Sequence, residues 1–177
     1  MFKRKIYDEL LAWKSASKGS TALLVEGARR VGKSTVVEEF AKAEYETYLL
    51  IDFTKVTDGF KQTFLDTRSD MDSFFLYLSA EFGADLKRRK SLVIFDEVQA
   101  FPQAREFVKH LVADGRYDYV ETGSLVSIKK NVKDILIPSE EESRRMGPMD
   151  FEEFLWALGE GALAAMIRRS FESRQNL

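Results

Sequence analysis

A chain of 177 residues that is 45% apolar and 32% charged can bury one sizeable core, and its composition is that of an ordinary globular domain. Its net charge of −2 makes no electrostatic case for nucleic acid or an acidic membrane as a partner. The absence of cysteine excludes thiol catalysis, disulfides and thiolate metal sites.

Residues 1–9 begin with positive charge, but no apolar segment follows as it would in a signal peptide, and no apolar run approaches the ~20 residues that cross a bilayer. A cytoplasmic location is the expectation. Residues 3–15 read as a helix with Phe2, Ile6, Leu10 and Trp13 on one side, and the small residues of 15–20 as a linker. The expected organisation is an N-terminal helix and linker over 1–20, a core over 21–158 and a C-terminal helix over 159–177.

Residues 21–25 are short, apolar and bounded by glycines, as suits a buried parallel strand. The next stretch, Gly27-Ala28-Arg29-Arg30-Val31-Gly32-Lys33-Ser34, fits the phosphate-binding pattern G-x-x-x-x-G-K-[ST] at every fixed position. Its glycines permit backbone conformations and close approaches that other residues resist. The turn then gathers N–H groups around one anion, with Lys33 near the β- and γ-phosphates and Ser34 offering a hydroxyl to Mg²⁺. Val36, Val37, Phe40 and Ala41 continue at helical spacing, so the loop lies between a strand and the positive end of a helix dipole.

Residues 45–52 read as a second strand and 58–66 as a short helix. Asp70 is an N-cap for a helix carrying Met71, Phe74, Phe75, Leu78 and Phe82, and Gly83 its stop. The basic run Lys87-Arg88-Arg89-Lys90 reads as the solvated close of a helix. Residues 91–97 form a third strand, four apolar residues running into Asp96 and Glu97. Pro102 opens a helix whose inner face is Ala104, Phe107, Val108, Leu111 and Val112, with His110, the only histidine, on its polar side. Residues 117–121 are a fourth strand ending in Thr122-Gly123-Ser124, and Ile135-Leu136-Ile137 a short fifth. Residues 140–145 read as a charged loop, and Asp150 with Glu153 as a capping pair for the helix that follows. Strands alternating with helices at this spacing give an α/β fold, a parallel sheet of about five strands with helices on both faces.

Phosphoryl transfer from a nucleotide needs charge neutralisation, a metal and an oriented nucleophile. Lys33 and the loop amides supply the first, while Ser34 and Asp96 are the candidate metal anchors. Glu97 can orient or deprotonate the attacking water, a feature of hydrolases rather than phosphate-loop kinases. Thr122 could sense the γ-phosphate or simply cap the turn at Gly123. Arg144 and Arg145 are arginine-finger candidates that a surface charge run explains equally well, and Asp52 and Gln99 could support the site from one step away.

On Gly27-Ala28-Arg29-Arg30-Val31-Gly32-Lys33-Ser34-Thr35, Ile94-Phe95-Asp96-Glu97-Val98-Gln99, Glu121-Thr122-Gly123-Ser124 and Pro148-Met149-Asp150-Phe151-Glu152-Glu153-Phe154-Leu155, the chain resembles the AAA-like phosphate-loop ATPases of bacteria and archaea. It is similar to uncharacterised prokaryotic ATPases in which this domain precedes a C-terminal domain of unknown function. The resemblance implies the additional-strand, catalytic-glutamate class, a central phosphate-loop strand, ATP as nucleotide and Mg²⁺ as metal. It also implies nucleotide binding by Gly27, Arg29, Arg30, Val31, Gly32, Lys33, Ser34 and Thr35, metal binding by Ser34 and Asp96, water activation by Glu97, a sensor at Thr122 and a further domain or partner downstream. Many relatives carry a Gly-Arg pair where this chain has Ser143-Arg144-Arg145-Met146, which leaves the arginine finger open. Mg²⁺-dependent ATP hydrolysis as a nucleotide switch is the leading expectation. A regulatory ATP-binding module with negligible turnover is the alternative, and a kinase a more distant one. The apolar residues Leu163, Ala164, Met166, Ile167 and Phe171 on one side of the last helix point to self-association or a partner there.

Overall fold

The six residues Ala22–Gly27 form β1 with every side chain but that of Glu26 buried, as befits a strand covered on both faces. The computed structural model describes residues 2–124 and 139–174. In it β1 lies among β2 (Thr47–Asp52), β3 (Ser91–Asp96), β4 (Asp118–Ser124) and β5 (Glu141–Met146). All the pairings are parallel, in the order β2-β3-β4-β1-β5. β1 is therefore interior, flanked by β4 and β5, although not the middle strand of the five. β4 is the additional strand between β1, which leads into the glycine loop, and β3, which ends in Asp96.

Side-chain alternation sorts the sheet into two cores. On one face Leu23, Val25, Leu92, Ile94 and Val120 meet Ile6, Leu10 and Trp13 of α1 (Lys5–Ser17) and Val36, Val37, Phe40 and Ala41 of α2 (Lys33–Glu44). The other face is aromatic. Leu49, Ile51, Phe95 and Tyr119 pack against α3 (Asp58–Thr67), α4 (Met71–Phe82) and α5 (Pro102–Asp114). Phe64 of α3 stands edge-on to Phe74 at 4.8 Å and to Phe101 at 5.3 Å, and Phe53 lies 5.4 Å from Phe95. Phe53, Phe95 and Phe101 flank the carboxyl ends of β2 and β3, so this cluster fixes where those ends lie.

The stops and caps fall where the residues direct. Asp70 accepts from Asp72 N–H, Gly83 and Gly115 close α4 and α5 in left-handed conformations, and Pro102 opens α5. Asp150 and Glu153 form a reciprocal capping box at the start of α6 (Phe151–Ala157). α7 (Gly161–Ser173) packs on α6 with Ala164 buried but Met166 52% and Phe171 85% exposed.

Two readings of the sequence are corrected. The basic run 87–90 does not close a helix: α4 has ended at Phe82, and the run forms the turn before β3. There Arg89 pairs with Asp118 at 3.0 Å and donates to Lys18 O at 2.7 Å, tying that turn to the end of α1. Residues 141–146, read as part of a loop, are β5. Only Met146 among them is apolar, so no hydrophobic alternation marks the strand. Backbone pairing to β1 and the fork of Arg105 on Glu141, at 2.9 and 2.7 Å, hold it in place. Charge along an edge strand also discourages pairing with other chains. The strand expected at 135–137 lies outside the described residues.

Next to that ion pair, the Glu121 carboxyl is fully buried, with the Glu141 carboxylate beside it. Burial, followed by the adjacent Glu141 carboxylate, raises its pKa well above the ordinary value. A raised folded-state pKa contributes stability that is complete below the unfolded carboxylate pKa and is lost as pH rises toward the folded one. Glu121→Gln, which keeps the shape without the ionisation, should therefore melt several degrees above the parent at pH 8 and close to it at pH 4.5. Thermal unfolding at the two pH values checks this, and a parent whose stability relative to the variant does not fall between them would contradict it.

Candidate functional site

The site lies at the carboxyl ends of the parallel strands, where β1, β3 and β4 finish side by side. Gly27, the last residue of β1, must be glycine because a Cβ there would overlap the carbonyl oxygen of Met146 on β5. The loop exposes Ala28, Arg29 and Arg30, with Arg30 at φ 61°, and leaves Val31 half-buried. Gly32, at φ 93°, makes the left-handed turn into α2 that a side chain would strain. No side chain caps α2, which leaves the amides of its first turn available to an anion. Lys33 is only 3% exposed, and its ammonium folds back to donate to Ala28 O at 2.9 Å. Ser34 is half-buried and Thr35 exposed.

Across the sheet, Asp96 ends β3 and is buried. Its Oδ1 accepts from the Ser34 hydroxyl at 2.6 Å and from the hydroxyl of Thr122. The two residues expected to anchor a metal are thus in direct contact, although 62 positions apart. Thr122 is fully buried, and its hydroxyl also accepts from Glu97 N–H at 3.2 Å. Glu97 has left the strand at φ 54° and begins the 3₁₀ turn Val98–Ala100. The Glu97 carboxylate accepts from Gln99 Nε2, and Gln99 Oε1 accepts from Ser124 N–H at 3.3 Å. Gln99 therefore bridges the Glu97 side chain to the end of β4.

Asp52 lies opposite Asp96 in the strand register. Burial opposes its charge, but Lys55 at 2.8 Å and the hydroxyl and N–H of Thr54 hold its pKa below the ordinary value. Arg144 is within β5, opposite Val25, where Glu142 at 3.0 Å and Glu9 at 3.6 Å take its guanidinium. Arg145, opposite Glu26, is exposed. The sequence reading passed over Arg4. Its guanidinium is buried and donates to Val31 O at 2.9 Å and Gly147 O at 2.8 Å. No local pattern could have revealed it, since its partners are 27 and 143 positions away.

Among the described residues no group of three or more His, Cys, Asp or Glu could hold a metal unaided. Ser34 and Asp96 offer one hydroxyl and one carboxylate, both hard oxygen donors. That set fits Mg²⁺, which takes one or two protein oxygens and completes its shell with waters and phosphates.

A family model described as AAA domain matches residues 19–155, which includes the loop, Asp96, Glu97 and Thr122. No curated protein matches the chain. No helix among the described residues is long and apolar enough to cross a membrane.

The bridge through Thr122 can be tested without any ligand. Thr122→Val keeps the volume but removes both the donor to Asp96 and the acceptor for Glu97 N–H. It should cost about 1–3 kcal/mol in urea unfolding, and Thr122→Ser distinctly less. Equal stability for all three chains would mean that these bonds do not hold the site together.

Proposed function

Because the chain belongs to the AAA domain family and has the architecture of its phosphate-loop ATPase core, we propose that it binds ATP with Mg²⁺ at residues 27–35 and hydrolyses it to ADP and phosphate. The nucleotide state would then be read by another domain or a partner. The observation that carries this reading is the 2.6 Å contact between Ser34 and Asp96, which puts two metal-type oxygens beside the phosphate loop.

In this reading the loop amides and the dipole of α2 hold the polyphosphate. Lys33 exchanges its bond to Ala28 O for a phosphate oxygen and offsets negative charge there. Ser34 and Asp96 hold Mg²⁺, which when bound neutralises charge developing on the phosphates. Thr122 acts through Asp96, fixing the carboxylate that meets the metal. Glu97, turned out of the strand, serves the attacking water.

A specific contact favours a second reading, in which the chain binds ATP but turns it over negligibly. The Glu97 carboxylate already accepts from Gln99, a contact that restrains how it can turn toward an attacking water. The exposed apolar residues of α7, Met166 and Phe171 foremost, support association with a further domain, a partner protein or a second copy. The division into a helix-and-linker segment over 1–20, a core over 21–158 and a C-terminal helix over 159–177 is proposed in the same sense, with α1 packed into the core.

Three substitutions separate the roles. Lys33→Ala should fold and lose most of its ATP affinity. Asp96→Asn should weaken Mg²⁺-dependent binding and turnover together. Glu97→Gln should bind Mg²⁺-ATP like the parent but hydrolyse it at least tenfold more slowly, since a general base typically contributes about 10²–10⁴-fold. Calorimetry and single-turnover hydrolysis measure these effects. A Glu97→Gln variant as fast as a parent with measurable turnover would remove Glu97 from the chemistry.

A further inference from the structure

Arg4 precedes α1, far in sequence from the phosphate loop, yet its buried guanidinium holds that loop from behind. It donates to Val31 O at 2.9 Å and to Gly147 O at 2.8 Å, and it pairs with Glu153 at 3.2 Å. Arg4 is 7% exposed and Glu153 5%. Glu153 is itself fully engaged. One carboxylate oxygen accepts from Lys5 N–H at 2.7 Å and the other from Asp150 N–H at 3.1 Å, within the box that caps α6.

The geometry points to a link between the nucleotide and the last two helices. The C=O of Val31 and the N–H of Gly32 belong to one planar trans peptide and point in opposite directions. A donor fixed on the carbonyl therefore orients the N–H away from Arg4 and polarises it further. The same guanidinium grips the backbone just after β5 and the carboxylate that caps α6. An arginine fork can donate to both carbonyls while its charge faces Glu153 as an ion pair, which a lysine cannot.

We propose that Arg4 is a positioning residue of the phosphate loop, and that the Arg4–Glu153 pair transmits nucleotide occupancy of the loop to α6 and the α7 packed on it. This rests on the reading that the loop takes Mg²⁺-ATP. Whatever the nucleotide does to the Val31–Gly32 peptide alters the carbonyl that Arg4 holds, and so its grip on Gly147 and Glu153. By linkage, whatever moves α6 alters the affinity of the loop to the same degree.

The test starts with calorimetry of Mg²⁺-ATP on the parent chain and on Arg4→Lys, after thermal unfolding has shown that both fold. Arg4→Lys should bind about tenfold or more weakly, the size of one lost charge-assisted hydrogen bond. Hydrogen exchange on the parent, with and without Mg²⁺-ATP, should show protection at residues 150–155 as well as in the loop. In nucleotide-saturated Arg4→Lys the loop should remain protected and residues 150–155 should not, a pattern that general destabilisation would not produce. A parent that fails to bind Mg²⁺-ATP overturns the functional reading and this proposal with it. A parent that binds, with Arg4→Lys within twofold of it or with no protection at residues 150–155, overturns this proposal alone. Should Arg4→Lys not fold, exchange at residues 150–155 in the parent still decides the coupling.

Discussion

A single carboxylate oxygen joins the parts of this site. Oδ1 of Asp96 accepts from Ser34 on α2 and from Thr122 on β4, while Asp96 itself ends β3. Three elements far apart in the chain are thereby set at hydrogen-bonding distance. Asp96 is buried, so leaving its charge without those donors would be costly. The arrangement constrains the sheet as well, because Ser34 can reach Asp96 only if α2 starts above the ends of β3 and β4. The order β2-β3-β4-β1-β5 satisfies this by placing β4 between the loop strand and the acid strand.

The aromatic core supports the same geometry from below. Phe95 immediately precedes Asp96, Phe53 follows Asp52, and Phe101 closes the turn that begins at Glu97. All three pack in the cluster around Phe64. Rings in edge-to-face contact tolerate little displacement without loss of packing. The positions of two carboxylates are therefore set in part by a hydrophobic cluster packed beneath the strand ends that carry them. On the other face of the sheet, α1 and α2 share a core with the inner strands, which ties the loop's helix to the N-terminal helix as well as to the sheet.

What the sequence made legible was whatever physical chemistry writes locally. The phosphate-loop pattern, the apolar run into Asp96-Glu97, the caps at Asp70 and Asp150 and the stops at Gly83 and Gly115 depend on neighbours within a few residues. β5 was illegible because a charged edge strand is held by backbone bonds to β1 and by Arg105, neither of which leaves a periodic trace. The run 87–90 was misread because the role of Arg89 depends on Asp118 and Lys18, distant in the chain. Arg4 was missed for the same reason, and Gln99 was recognised only as a candidate because the turn after β3 decides what it reaches. Gly27 was expected for the right property, close approach, but the atom it makes room for is a carbonyl of the neighbouring strand.

The proposed function requires Mg²⁺-ATP to enter the loop from the side opposite Arg4, beside Ser34 and Asp96. Magnesium-dependent footprinting of the loop by hydrogen exchange tests this most directly, comparing ATP alone with ATP plus Mg²⁺ on the intact chain. Protection of the amides of residues 28–35 by ATP, strengthened by Mg²⁺ and extending to residues 96–99 only when Mg²⁺ is present, is the predicted result. Exchange in the loop unchanged by saturating Mg²⁺-ATP, or protection confined to another part of the sheet, would contradict it.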